Sequence, residues 1–162
     1  MLALRFSLLA ALTLTACSKP KPPTIIPIRA EVVRVGPAGV QLAVTFDVTN
    51  QNSFPLVART VDGRFLLGAG GAELGRAHAE PFTSIPAGGT STVSSDLAVN
   101  WTNLAALAPF LLSPAPVPYQ FNGNATLGGD TLNVTLPFTL SGELTREQLL
   151  SAGLNGLAPP AH

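Results

Sequence analysis

The chain has 162 residues, of which 46% are hydrophobic and 11% are charged, and its formal net charge at pH 7 is zero. A neutral chain lacks the positive field that attracts nucleic acid, so we expect no nucleic-acid partner. Cys17 is the only cysteine, which excludes an intramolecular disulfide and leaves the hydrophobic core to stabilise the fold.

The N-terminal segment has the pattern of a secretory signal. A single positive charge, Arg5, precedes an apolar run over residues 6–15 that is too short to span a membrane as a helix. The run ends within the tetrapeptide Leu14, Thr15, Ala16 and Cys17, which resembles the lipobox of bacterial lipoproteins. The resemblance implies that residues 1–16 are removed as a signal peptide and that Cys17 is lipidated. An ordinary cysteine in a non-lipidated signal peptide is the alternative.

A lipidated Cys17 would determine where the chain is found. Two or three acyl chains anchor a protein stably, since each buried methylene contributes about 0.8 kcal/mol. Ser18 follows the cysteine, where an Asp would resemble an inner-membrane retention signal. We therefore expect a lipid-anchored protein of a bacterial cell envelope, at the outer membrane, with its domain facing the periplasm. The expected partners are the membrane itself and an envelope protein or lipid.

Residues 17–24 form a predicted tether between the anchor and the domain. The segment from Ser18 to Thr24 contains two lysines and three prolines, and we expect it to be extended, to span about 20 Å and not to pack. The lysines would lie against anionic lipid headgroups or simply in solvent.

From Ile25 onward, alternation of apolar and polar residues predicts strands with one buried face. The residues expected to face the core are Ile26, Ile28, Ala30 and Val32, then Val40, Leu42, Val44, Phe46 and Val48, then Val93, Leu97, Val99 and Trp101, then Val117, Tyr119, Phe121, Ala125 and Leu127, and finally Leu132, Val134, Leu136, Phe138 and Leu140.

Turn signals divide the chain between these strands. Asp62-Gly63 and the run from Gly68 to Gly71 predict turns between two or three shorter strands over residues 56–86, and Gly128-Gly129-Asp130 predicts a hairpin. Pro137 suits an edge strand or a bulge. About seven strands in all predict an all-β fold, an antiparallel sandwich.

Two segments favour helix instead. Residues 102–112 begin with the N-cap candidate Thr102 and carry leucines at helical spacing, with Pro109 expected to kink or end the helix. Thr145 and Gln148 fit a capping box, which predicts a brief helix to about Ala152 that ends at Gly153, followed by a frayed tail to residue 162.

The strand that ends at Thr49 is followed by Asn50-Gln51-Asn52-Ser53-Phe54-Pro55-Leu56. This run resembles the motif of the late-embryogenesis-abundant group 2 family, also called the water-stress and hypersensitive-response (WHy) domain, in which Asn-Pro-Asn precedes Pro-Leu or a similar pair. Gln51 stands in place of the central proline. Asn50 and Asn52 are expected to form a strand-ending corner, because asparagine side chains bond nearby backbone and tolerate left-handed conformations.

Further family features follow in order. They are Ile85-Pro86 with a glycine-rich turn, a short helix after the next strand, the pair Tyr119 and Gly123, and a closing strand that ends on Gly142-Glu143-Leu144. The resemblance covers residues 25–144 and implies a single domain similar to immunoglobulin-like or fibronectin type III sandwiches. It also implies a link to desiccation and other stress responses, and bacterial members are often lipoproteins.

The sequence offers no constellation that predicts catalysis. His78 and Glu80 could begin a metal site, but no third ligand has suitable spacing, and we interpret His78 as a solvated loop residue. No nucleophile elbow or phosphate-binding loop is present. We therefore expect no catalytic residues, metal or cofactor, and a protein that is not an enzyme.

The leading hypothesis is a non-catalytic, membrane-anchored protein that protects or binds envelope components under desiccation or osmotic stress. A carrier of lipid or another apolar ligand is one alternative, and a scaffold subunit of an envelope complex is another.

Overall fold

The structure is a computed structural model that describes residues 19–36, 38–111, 113, 115–129 and 132–150. The lipobox with Cys17, the hairpin residue Asp130 and the expected helix end at Gly153 lie outside the described residues. The strands are β1 Thr24–Gly36, β2 Gly39–Thr49, β3 Leu56–Leu67, β4 Ala72–Ala79, β5 Thr83–Ile85, β6 Thr90–Trp101, β7 Val117–Gly128 and β8 Asn133–Leu144. A 3-10 turn over Leu104–Leu107 runs into helix α1, Ala108–Leu111.

The strands pair antiparallel in one sheet, in the order β1-β2-β6-β4-β3-β7-β8, with β5 paired to the start of β3. β4 and β6 are joined only through the pairs Gly75–Trp101 and Arg76–Asn100. The two outer strands, β1 and β8, come together and nearly close the sheet into a barrel. The predicted all-β antiparallel fold is confirmed in this form, while the immunoglobulin-like or fibronectin-like sandwich stays a prediction.

The core lies inside this curled sheet; in the described part of the chain most of its buried residues are aliphatic, and five aromatic rings pack among them. Phe138 stacks on Phe46 with ring centres 5.6 Å apart and lies 6.1 Å from Phe121. Phe65 stacks on Tyr119 at 5.1 Å. The inward-facing residues predicted for β2 and β7 are all buried, as the alternation requires.

Strand β1 departs from the prediction. Ile26 and Ile28 were expected to face the core, yet they are 57% and 55% exposed. The pairing of β1 with β2 shifts register between Pro27 and Arg29, and again between Val32 and Arg34. Each bulge adds one residue and reverses the side-chain phase, so an alternation read straight through the strand assigns the wrong face.

The predicted turn at Asp62-Gly63 is also wrong, because both residues lie within β3. Gly63 pairs with Ala77 on one side and with Gly123 on the other. A Cβ at Gly63 would collide with the ring of Phe121. The glycine therefore makes room for a core ring inside a strand. The turn predicted over Gly68–Gly71 does form, with positive φ angles of 72° and 64° at its two ends.

The predicted helix over residues 102–112 is replaced by the shorter 3-10 and α1 segments. Thr102 does not cap them; its hydroxyl donates to the Leu74 carbonyl at 3.3 Å, and Asn103 takes the N-cap position without a side-chain bond. Of the three leucines at helical spacing, Leu107 is buried, Leu111 is half-buried and Leu104 is 44% exposed.

The capping box at the C-terminal end forms as predicted, and residues 146–150 are helical. The Gln148 side chain accepts from the Thr145 N–H at 2.8 Å, and the Thr145 hydroxyl accepts from the Gln148 N–H at 3.3 Å. This turn places Leu149 in the core, where it is fully buried.

Candidate functional site

The asparagine corner, residues 50–56, connects β2 to β3 at one end of the barrel. Asn50 is fully buried. Its amide group donates to the carbonyls of Phe54 at 2.7 Å and Pro86 at 3.2 Å. Its side-chain oxygen accepts from the backbone and side-chain amides of Asn52, both at 3.0 Å. Asn50 thus helps to determine the path of the corner through bonds to nearby backbone, while neither asparagine adopts the left-handed conformation that the prediction allowed.

Asn52 uses its side chain to bind a distant segment of the chain. Its Oδ1 accepts from the backbone N–H of Lys21 at 2.7 Å, and its Nδ2 donates to the backbone carbonyl of Lys21 at 2.8 Å. The carboxamide therefore engages both polar backbone groups of one residue, as a paired strand would. Asn52 is only 7% exposed, so these bonds are largely shielded from water.

The tether is therefore not wholly unpacked, and that prediction is wrong from Lys21 onward. Besides the bonds to Lys21, Pro23 is buried against the domain. Among residues 20–23, Lys21 alone carries a backbone N–H, because the other three are prolines. That pattern is the one sequence signal that could have identified Lys21, although nothing local indicates its partner.

The glycine-rich turn of residues 86–89 completes the corner. Its backbone bonds the corner twice more: Asn50 N–H donates to the Gly89 carbonyl, and Gly88 N–H donates to the Asn52 carbonyl, both at 2.8 Å. Gly88 adopts a φ of 64°, which favours glycine. Two of the sequence features that carry the family resemblance thus meet at the same end of the barrel.

Two further residues of the family motif, Pro55 and Leu56, lie where the corner leads into β3. Leu56 is fully buried at the start of β3, while Pro55 is exposed. Gly129 lies against them, since a Cβ there would approach the Pro55 carbonyl and the Leu56 side chain. The lipobox residues Leu14, Thr15 and Ala16, and the lipidation candidate Cys17, lie outside the described residues.

A second polar cluster lies in an open concavity of about 790 Å³ formed by β3, β4, β6, β7 and β8. His78 is on strand β4 rather than in a loop, which corrects the prediction. Its Nδ1 is 2.5 Å from Asp62 Oδ1, and its Nε2 is 3.5 Å from Glu80 Oε1. The sequence does not reveal Asp62 as a partner of His78, because an Asp-Gly pair is typical of a turn, whereas here Asp62 lies in a strand opposite His78.

The two carboxylates affect how His78 titrates. The hydrogen bond and charge of Asp62, then those of Glu80, raise the pKa of the imidazole above its ordinary 6.5. All three side chains are more than half exposed, so solvent screens the cluster. Nearby, Glu73 pairs with Arg76 at 2.8 Å and with Arg64 at 3.7 Å. Across the described residues, no group of three or more His, Cys, Asp or Glu side chains is arranged to hold a metal ion.

Buried polar groups elsewhere in the described structure are also satisfied, since every buried side-chain nitrogen or oxygen has a hydrogen-bond partner. Tyr119, which carries one of the family features, donates its hydroxyl to the Ala30 carbonyl. Gly123 lies beneath the ring of Phe138, where a Cβ would collide. Within residues 19–150 as described, no helix is both long and apolar enough to cross a bilayer.

Comparison with solved structures shows the same fold in proteins of low identity. A protein from Arabidopsis thaliana matches at 20% identity and a TM-score of 0.54, over 78% of this chain and 83% of that one. A crystal structure of a protein from Archaeoglobus fulgidus matches at 11% identity and a TM-score of 0.53, over 78% and 97%. A protein provisionally described as late embryogenesis abundant matches at 17% identity and a TM-score of 0.51, over 76% and 70%.

At the level of sequence, no curated protein matches the chain. The model of one family does match, over residues 45–142, and its description is late embryogenesis abundant protein. The matched region begins in β2, contains the asparagine corner and the glycine-rich turn, and ends near the end of β8. The chain belongs to this late embryogenesis abundant family.

Proposed function

We propose that this chain is a non-catalytic lipoprotein of the bacterial cell envelope. Cys17 carries the lipid anchor, and the late embryogenesis abundant domain faces the periplasm from the outer membrane. The observation that carries the proposal is that the polar side chains of the asparagine corner are used to bind the chain's own backbone. They bind backbone, including the backbone of Lys21, four residues after the lipobox cysteine. The site that defines the family motif therefore holds the anchor segment to the domain.

Family membership supports a role without catalysis, and so does the internal satisfaction of the corner. Each polar atom of the Asn50 and Asn52 side chains has a partner within the chain. An asparagine that acted on a substrate would need an unoccupied donor or acceptor. These side chains instead stabilise the end of the barrel.

The mass of the mature N-terminal peptide tests the anchor. Protein purified from bacterial membranes should begin at Cys17 and carry a diacylglyceryl group on the thiol and an acyl group on the amine. The Cys17→Ser variant should keep its signal peptide and carry no lipid. An unmodified Cys17 at the mature N-terminus would contradict the proposal.

The proposed role is protection of envelope components during water loss. The surface has few charges, and hydroxyl and amide groups take many of the exposed strand positions. Such groups exchange hydrogen bonds with neighbouring macromolecules when water is scarce. Drying a labile enzyme with the purified protein should preserve more activity than drying with an equal mass of albumin, and equal recovery would refute protection.

The alternatives have their own tests. A carrier of lipid or another apolar ligand would release a co-purifying molecule in native mass spectrometry of gently extracted protein. A scaffold subunit would recover a stoichiometric protein partner when the lipidated form is pulled down from membranes. The protective role predicts neither result.

A further inference from the structure

We propose that Asn52 is a docking site for the chain's own proline-rich segment, and that this contact holds the asparagine corner, at the end of the barrel where β1 begins, close to the membrane. The docking itself depends only on described residues. The orientation rests also on the proposed lipid anchor at Cys17, so the two parts are tested separately.

Asn52 is oriented for this contact before the segment arrives. Its Nδ2 bonds the Asn50 side-chain oxygen at 3.0 Å, and its own backbone is held by the bonds to Asn50 and Gly88. The carboxamide is therefore fixed with one acceptor and one donor directed at the segment. A pre-oriented group loses little conformational entropy on binding, which favours a persistent contact.

The segment is also prepared for binding. Pro20, Pro22 and Pro23 restrict φ to about −65° and keep the backbone extended, so little freedom remains to be lost. Since Lys21 has the one N–H among residues 20–23, a bidentate contact with backbone is possible in a single register. Burial of Pro23 adds an apolar contact beside the two hydrogen bonds.

Docking determines how far the domain can move from its anchor. The four peptide units between Cys17 and Lys21 span at most about 14 Å, whatever their conformation. If the segment were free up to Thr24, the reach would be about 25 Å. The shorter reach keeps the corner and the turn of residues 86–89 close to the bilayer. The opposite end of the barrel, with the turn over Gly68–Gly71 and helix α1, then points away.

Amide hydrogen exchange of the mature lipidated protein in detergent tests the docking. The Lys21 amide should exchange at least about tenfold more slowly than in the Asn52→Ala variant. Gln51→Ala, a change at the exposed neighbour of Asn52, should leave the Lys21 rate unaltered. Exchange of Lys21 at the rate of an unstructured peptide in the unaltered protein would overturn the proposal.

A second variant covers the case in which Asn52→Ala does not fold. Lys21→Pro removes the N–H donor without touching the domain. Spin labels at Lys19→Cys and Gly70→Cys should give a narrow distance distribution in the otherwise unaltered protein and a shifted or broader one with Lys21→Pro, because a proline ring cannot take the place of the N–H beside Asn52 Oδ1. Gly70 suits a label because its added Cβ meets no atom within 4 Å. The same distance distribution, in position and in width, would overturn the docking.

Energy transfer to labelled headgroups tests the orientation in vesicles of phosphatidylethanolamine and phosphatidylglycerol. A dye at Ala87→Cys, in the glycine-rich turn, should transfer more efficiently than a dye at Gly70→Cys, and Asn52→Ala should reduce the difference. Equal transfer from both positions would refute the orientation. An N-terminal mass without acyl chains would instead refute the anchor, and the exchange result at Lys21 would still decide the docking.

Discussion

At the scale of single residues, Asn50 shows how one buried amide can determine a loop. It donates to two carbonyls and accepts from two amides of Asn52, with no exposed surface. An aspartate has the same shape but no N–H groups to donate, and it would place a negative charge beside the carbonyls of Phe54 and Pro86. Buried groups that lose their partners destabilise a protein far more than an exposed bond stabilises it.

We therefore expect Asn50→Asp to lower the free energy of unfolding by about 3 kcal/mol at pH 7. Urea denaturation, with an unchanged m-value, is the measurement. Ser53→Ala, in the same corner but exposed, should change stability by less than about 0.5 kcal/mol. A loss below about 1 kcal/mol for Asn50→Asp would mean that the corner does not depend on these bonds.

His78 predicts a dependence on pH. Asp62 and Glu80 raise its folded-state pKa above 6.5, so the protonated form stabilises the folded protein. That contribution is complete below pH 6.5 and is lost as the pH rises through the folded-state pKa. An NMR titration should show the raised pKa, and Asp62→Asn should bring it back toward 6.5. An unchanged value in Asp62→Asn would show that the hydrogen bond to Asp62 is not the main cause.

At the scale of elements, strand β3 depends on a glycine in its middle. Gly63 is inside the strand and beneath the ring of Phe121, which leaves no room for a Cβ. We expect Gly63→Ala to destabilise the protein by about 1–3 kcal/mol, through overpacking of the core. Thermal unfolding measures this, with Gly70→Ala as the matched control because an added Cβ there meets open space. Equal melting temperatures for the two variants would show that the core adapts to the extra atom.

The elements also show what the sequence could reveal about the fold. Strand β2 alternates without interruption, and every residue predicted to face the core does so. Strand β1 alternates as well, but its two bulges reverse the phase, and the alternation alone does not show where a bulge lies. The Asp-Gly pair in β3 has the composition of a turn, yet its glycine leaves room for the ring of Phe121 on β7. Patterns within one strand were predictable, while requirements set by neighbouring strands were not.

The same distinction applies to the candidate site, where contacts within the corner are predictable from the sequence and contacts with distant segments are not. Asn50 could be predicted to help end a strand, because its bonds to Phe54 and Asn52 lie within the corner itself. The bond from Asn52 to Lys21 crosses 31 positions of sequence and has no local signature. The sequence does not indicate the contact of Asp62 with His78, because that contact depends on the register of β3 and β4, which places the two residues opposite each other.

At the scale of the whole molecule, closure of the barrel depends on contacts between its first and last strands. Tyr119 on β7 reaches the Ala30 carbonyl on β1 at 3.3 Å. Burial, with a smaller effect from the Glu31 carboxylate, raises the pKa of the phenol, so the hydroxyl keeps its proton and donates. The bond therefore ties β1, at one edge of the sheet, to β7, the neighbour of the other edge strand.

We expect Tyr119→Phe to lower the free energy of unfolding by about 1 kcal/mol and to speed amide exchange in β1 more than in β2. Exchange mass spectrometry and urea denaturation measure the two effects. Thr126→Val removes an exposed hydroxyl that contacts Thr135, away from the closure, and should leave β1 unaffected. If Tyr119→Phe speeds amide exchange equally in β1 and β2, the Tyr119 hydrogen bond does not hold the barrel closed.

The outer strands of this sheet affect how copies of the chain interact in a concentrated solution. An exposed, regular strand edge is a template on which another copy of the chain can add, and withdrawal of water brings copies together. Here β1 is interrupted by two bulges, β8 carries Pro137, and the two strands lie against each other. A chain built in this way offers its neighbours little to pair with, so we expect it to resist edge-to-edge aggregation as its concentration rises.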